Sequence, residues 1–169
     1  VAACKATGVS LRRDILAMED AGAADTMIFS DLGVVATTTD NGPALTRSLI
    51  SGLAGTAPDV IVIELGDGLL GSYGVDAILS DSSIVETMTA VILCANDPVA
   101  AWGGNRILQD QYGIEPKVIT GPATDNAVGT SQITERTGLA AINALTAGAA
   151  LGDAVAEAIG LRAIESRAS

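Results

Sequence analysis

Histidine is absent from all 169 residues of this sequence. That removes the commonest general base, the commonest metal ligand and the Ser-His-Asp triad. Acid–base or metal chemistry therefore falls to carboxylates, lysine, tyrosine or cysteine. Aromatic residues are nearly as scarce, with one Trp, two Tyr and one Phe. So few rings exclude recognition of single-stranded nucleic acid by base stacking. They also require an aliphatic core, which suits a sheet flanked by closely packed helices. Lys and Arg together number 9 against 20 Asp and Glu, a formal net charge of -11. Such a surface repels phosphate backbones, so nucleic acid is not an expected partner, and its plain consequence is solubility. The two cysteines, Cys4 and Cys94, each lie in an apolar run and read as inert core thiols rather than a disulfide or metal pair. A reducing, cytoplasmic setting follows. No stretch is long and apolar enough to span a membrane, and no signal peptide is visible. The sequence also lacks a Gly-x-x-x-x-Gly-Lys-Ser/Thr phosphate loop. The letters Gly-x-Gly-x-x-Gly occur from Gly66 to Gly71, but after a middle strand and without an acidic residue at the distance a dinucleotide site requires.

What is present is 49% hydrophobic, enough to fold as one domain of ordinary size over residues 1–169. Residues 1–6 read as a short buried strand. Residues 11–21 carry Leu11, Ile15, Leu16 and Met18 at helical spacing, ended by Gly22. Residues 26–29 and 34–37 are short apolar segments around a turn. Pro43 suits a first helical position, and Leu45, Leu49, Ile50 and Leu53 give that helix an apolar face. The β-branched run in residues 59–65 predicts a strand covered on both faces. Further strands are expected at 90–95, 117–120 and 139–143. Further helices are expected at 75–88, from Pro98 to Tyr112 with Gly113 as its stop, at 130–137 and at 149–166. Strands alternating with helices imply βαβ units. The expected fold class is α/β, a three-layer sandwich of P-loop or Rossmann-like type with a mostly parallel sheet of five or more strands.

Ligands of open α/β sheets sit beyond the carboxyl ends of the strands. Those ends carry Lys5, Thr7 and Gly8, then Glu64, Gly66, Asp67 and Gly68, then Asn96 and Asp97, then Thr120 and Gly121. Glu64 stands out, because a carboxylate at the end of a strongly apolar strand is costly to bury unless a cation or hydrogen bonds meet it. It reads as a magnesium ligand or catalytic carboxylate, against the plainer reading of a strand end reaching solvent. Lys5 is placed to meet an anionic substrate or phosphate. Asp14 lies in the first turns of the next helix, where favourable helix electrostatics alone is worth a few tenths of a kcal/mol to ~1 kcal/mol. Asp67 is also ordinary turn chemistry, and Asn96, Asp97, Asp125 and Asn126 also read as helix caps.

Taken in order, these residues resemble the central part of the dethiobiotin synthetase-like P-loop family, which includes the cobyrinic acid amidases and other ATP-dependent ligases. The lysine, hydroxyl or glycine and aspartate after one strand of that family are similar to Lys5, Thr7, Gly8 and Asp14. Its Val-Glu-Gly-x-Gly is similar to Val62-Ile63-Glu64-Leu65-Gly66-Asp67-Gly68 with one residue inserted, and its next strand resembles residues 90–95. The resemblance implies ATP and magnesium as cofactors. Lys5, Thr7 and Glu64 would be catalytic, Asp14 and Glu64 would hold magnesium, and Gly8, Gly66, Asp67, Gly68 and Asn96 would line the cofactor site. It also implies a preceding strand and phosphate loop upstream of Val1, or supplied by another copy or a second chain. The expected function is an ATP- and magnesium-dependent ligase or transferase-like domain acting on a small anionic substrate. Two alternatives stand beside it: a non-catalytic ligand-binding or subunit-interaction module, and a Rossmann-like nucleotide-binding domain using the loop 66–71.

Overall fold

The computed structural model describes residues 1–66 and 68–161. The chain divides into two compact units, Val1–Thr87 and Met88–Ser169, each of which alternates strand and helix. The fold class is α/β with parallel strands, as expected. The strands hydrogen-bond into two three-stranded sheets, however, and not into one sheet of five or more.

In the first unit the order of elements is β1 (Ala2–Lys5), α1 (Arg12–Asp20), β2 (Asp25–Ile28), α2 (Gly42–Ala54), β3 (Ile61–Glu64), α3 (Val75–Leu79) and α4 (Ser82–Val85). A 3-10 turn, Phe29–Leu32, follows β2. The sheet order is β2-β1-β3, with β1 in the middle and buried at all four positions. Small residues suit this strand, because Ala2, Ala3 and Cys4 let elements on either face approach closely. One core joins Ala2, Cys4 and Ala6 to Ile15 of α1, Ile28 and Phe29 at the end of β2, and Leu49 and Leu53 of α2. Burying each large aliphatic side chain there contributes roughly 1.5–3 kcal/mol.

Register rows pair Cys4 with Met27 and Ile63, and Lys5 with Ile28 and Glu64. β3 lies at the edge of its sheet, and its side chains alternate between half-buried and exposed because only one of its faces is covered, so that Val62 is 52% exposed. The β-branched run 59–65 thus covers one face only, which corrects the expectation of a strand buried on both. The segment 34–37 is not a strand; Ala36 forms an isolated antiparallel bridge with Val9. The helix expected at 75–88 is two short helices. Asp81 breaks it by capping α4, its side chain accepting from the Ser83 amide at 3.0 Å. Its carboxyl sits below the usual carboxylate range because the Ser83 hydroxyl and then Arg47 favour the charged form.

The second unit runs β4 (Ile92–Cys94), α5 (Pro98–Tyr112), β5 (Val118–Thr120), α6 (Ala127–Thr137), β6 (Ala140–Ala141) and α7 (Gly148–Ala158), with sheet order β4-β5-β6. A 3-10 turn, Pro122–Thr124, follows β5. Asp97 caps α5 through the Ala100 amide at 2.8 Å, Pro98 occupies its first turn, and Gly113 stops it in the left-handed region at φ 67°. Asn126 caps α6 through the Gly129 amide at 2.9 Å. Part of the expected final helix, residues 162–166, lies outside the described residues. No helix among the described residues is long and apolar enough to cross a membrane.

Two helical glycines predict opposite effects. A Cβ on Gly129 would lie 2.3 Å from the Ala123 carbonyl oxygen, a backbone atom that cannot move aside. Gly103, in α5, has open space around it. Gly129→Ala should destabilise by roughly 1–3 kcal/mol or more from overpacking, and Gly103→Ala should stabilise by roughly 0.5–1 kcal/mol. Urea midpoints moving in the same direction for both variants would contradict these placements.

Candidate functional site

The site lies in the first unit, where β1 and β3 end side by side. Lys5 and Glu64 are register partners in neighbouring parallel strands, so their side chains leave the same face of the sheet. Lys5 is mostly buried, and its Nζ donates to Asp14 Oδ2 at 2.5 Å, with side chains 10% and 19% exposed. Asp14 lies in the first turn of α1, where a carboxylate also favours the helix N-terminus. Arg13 Nε stands 3.6 Å from the other Asp14 oxygen, on an exposed side chain.

Gly66 closes the cluster. A Cβ there would stand 3.4 Å from Glu64 Oε1, 3.4 Å from the Thr7 carbonyl oxygen and 3.6 Å from Lys5 Cε. The stem of Lys5, the carboxylate of Glu64 and the backbone of Thr7 therefore meet around one glycine. The Thr7 hydroxyl donates to the Gly66 carbonyl at 3.1 Å, and Thr7 is fully buried. Its single proton is committed there, so Thr7 holds the cluster in shape. Gly8 follows at φ 106°, a conformation that needs glycine. Its amide donates to Thr37 Oγ1 at 2.9 Å.

Glu64 is exposed. The burial cost that singled it out in the sequence does not arise, and its candidacy rests instead on its place beside Lys5 and Gly66. Its charge is felt at Cys4, whose thiol is pushed up to about 12, first by burial and then by Glu64. A thiol so poorly ionised is neither a nucleophile nor a metal ligand at neutral pH.

The structure thus brings Lys5, Thr7, Gly8, Asp14, Glu64 and Gly66 together. Gly68, exposed at φ 80°, continues the loop, and Asp67 lies outside the described residues. Asn96 is an exposed residue of the second unit, just after β4. Among the described residues, no group of three or more His, Cys, Asp or Glu gathers as a metal site. Sequence reasoning missed Thr37, which a run of three threonines after an apolar segment does not single out. Compared with known protein families, curated proteins and solved structures, the chain matches none.

Two measurements check this electrostatic arrangement. Asp14→Asn leaves the Lys5 ammonium poorly compensated and should destabilise by roughly 3–5 kcal/mol, more than Lys5→Met, which removes the charge itself. Equal losses in urea unfolding would contradict the pairing. For Cys4 the folded pKa is the higher one, so its contribution is complete below the unfolded value of 9.0 and is lost as pH rises toward about 12. Above about pH 9, wild-type stability should therefore fall faster than that of Cys4→Ala, by up to ~1.4 kcal/mol per pH unit. Parallel pH profiles of the two proteins would contradict it.

Proposed function

We propose that the carboxyl edge of the first sheet is the substrate and metal side of an ATP- and magnesium-dependent ligase or transferase acting on a small anionic substrate. The observation that carries this reading is that Lys5, paired with Asp14 of α1, and Glu64 end two adjacent parallel strands and meet beside Gly66. Parallel strands deliver their following loops to one side, which is where α/β enzymes bind ligands.

In this reading the Lys5 ammonium, kept charged and aimed by Asp14, meets the anionic group of the substrate. An incoming carboxylate or phosphate shares Lys5 with Asp14, and the ammonium has further protons to donate. Glu64, which is exposed, is the hard-oxygen ligand in this reading. Magnesium, when bound, offsets phosphate charge and orients the reacting groups. Thr7 and Gly66 set the spacing between the lysine and the carboxylate. No residue of this chain is assigned to a phosphate cradle, since the sequence contains no such loop. The reading therefore includes a phosphate loop supplied from upstream of Val1, from another copy or from a second chain. A cytoplasmic setting belongs to the same reading.

A second reading, a non-catalytic ligand-binding module, is favoured by the Lys5–Asp14 pair, which satisfies both charges without a metal. The dinucleotide-binding alternative lacks its helix. After Gly71 the chain does not become helical until Val75, and α3 has only five residues.

Calorimetry with Mg·ATP on the wild type, Glu64→Gln and Lys5→Met tests the proposal. Glu64→Gln keeps shape and removes charge, so it should weaken magnesium-dependent binding by about tenfold or more, equivalent to ~1.4 kcal/mol. Lys5→Met should weaken binding whether or not magnesium is present. Equal affinity of wild type and Glu64→Gln would overturn the ligase reading, and binding without any magnesium dependence would favour the module.

A further inference from the structure

The glycine-rich segment after β3 is attached at its two ends by two buried threonine hydroxyls. At its start, Thr7 Oγ1 donates to the Gly66 carbonyl at 3.1 Å. At its far end, Thr37 Oγ1 donates to the Tyr73 carbonyl at 2.8 Å. Thr37 is 2% exposed and Thr7 fully buried, so neither hydroxyl has water as an alternative partner. Thr37 does more than hold the loop. Its Oγ1 also accepts from the Gly8 amide at 2.9 Å, and its own amide donates to the Gly8 carbonyl at 3.1 Å. The Ser10 amide donates to the Val35 carbonyl at 3.1 Å, which fixes the strand of chain that carries Thr37 against the turn after Lys5.

The hydroxyl of Thr37 thus uses its one proton on Tyr73 and a lone pair on Gly8. Both partners lie beside backbone that only glycine adopts readily. Gly8 sits at φ 106°, and Gly74, next to Tyr73, sits at φ 89° with no room for a Cβ, which would fall 2.4 Å from the Thr38 carbonyl oxygen. A displacement of the Gly8 turn is passed through one oxygen atom to the end of the loop.

We infer that Thr37 is a positioning residue that couples the Lys5–Gly8 turn to the far end of the glycine-rich loop, so that ligand bound at Lys5 and Glu64 orders that loop. This rests on the reading of the site given above. Thr37 touches no reacting group in it; it acts through Gly8 and Tyr73.

The test compares Thr37→Val, which keeps the shape and removes the hydroxyl, with Thr37→Ser, which keeps the hydroxyl. Amide hydrogen exchange is followed at Gly8 and across residues 66–74, with and without Mg·ATP, and Mg·ATP affinity is measured in parallel. In Thr37→Val, exchange at Gly8 and in the loop should rise about tenfold, and affinity should fall about tenfold, as expected for a buried amide left unpaired. Thr37→Ser should stay close to wild type in both. In the wild type, Mg·ATP should slow exchange at Gly8 and in the loop together, and in Thr37→Val it should protect only the Gly8 side. Wild-type exchange at both places in Thr37→Val overturns the coupling. If Thr37→Val does not fold, Thr37→Ser decides: lost protection with the hydroxyl present overturns the proposal, and retained protection supports it. If the wild type does not bind Mg·ATP, the ligase reading falls and the exchange data alone judge Thr37.

Discussion

The first unit depends on how a nearly buried ammonium is satisfied. Lys5 ends a central strand whose four residues are all buried, so its charge must be met by protein. Left alone it would lose the ammonium's hydration for nothing in return. Asp14 meets it from the first turn of the next helix, nine residues on. This pairing fixes where α1 begins relative to the end of β1. It also dictates a sharp turn between them, which Gly8 supplies by taking a positive φ. Asp14 serves the helix as well as the lysine, since a carboxylate in the first turn complements the helix dipole. One side chain thus satisfies a charge, starts a helix and orients the group best placed to meet an anion.

The same turn then organises what lies beside it. Once Gly8 is set, its amide and carbonyl are taken by Thr37, and the Thr7 hydroxyl by Gly66. These are interactions of buried polar groups, which are costly to leave unmade and therefore tend to persist together. The glycines play different parts. Gly8 and Gly74 are required by their backbone angles, and Gly74 also by the Thr38 carbonyl against it. Gly66 differs from both: a Cβ there would meet the Lys5 stem, the Glu64 carboxylate and the Thr7 carbonyl at ordinary contact distances, so it marks where these groups meet without being required by space.

Much of this architecture was legible in the sequence because its causes are local. Pro43, Pro98, Asp97, Asn126 and Gly113 mark helix ends by chemistry that acts within a few residues. Asp81 followed by serines was also a legible cap, yet the apolar run around it read as one helix. The strand at residues 61–64 was placed correctly and its covering was not. Val-Ile-Val-Ile reads as buried on both faces, but one face of β3 is open and Val62 is half exposed, because the run itself does not encode which elements lie beside or over it. The division of the strands into two sheets was illegible for the same reason. Strand–helix alternation specifies parallel pairing without specifying which strands pair. Lys5, Thr7, Asp14, Glu64 and Gly66 were found together because parallel topology sends every strand end to one side. Thr37 was not found, because its role depends on two backbone groups, at Gly8 and Tyr73, that no spacing rule connects to it.

The exposure of Glu64 changes what kind of carboxylate it is. A buried carboxylate announces itself by its cost, and its pKa is then often displaced toward a proton-transfer role. An exposed one pays no such burial cost and can be reached from solvent. Asp14 and Glu64 bring two carboxylates to the cluster, against the cations of Lys5 and Arg13. In the reading proposed above, Glu64 would be the group that meets the metal of a metal–anion complex, and Lys5 the group that meets its anion.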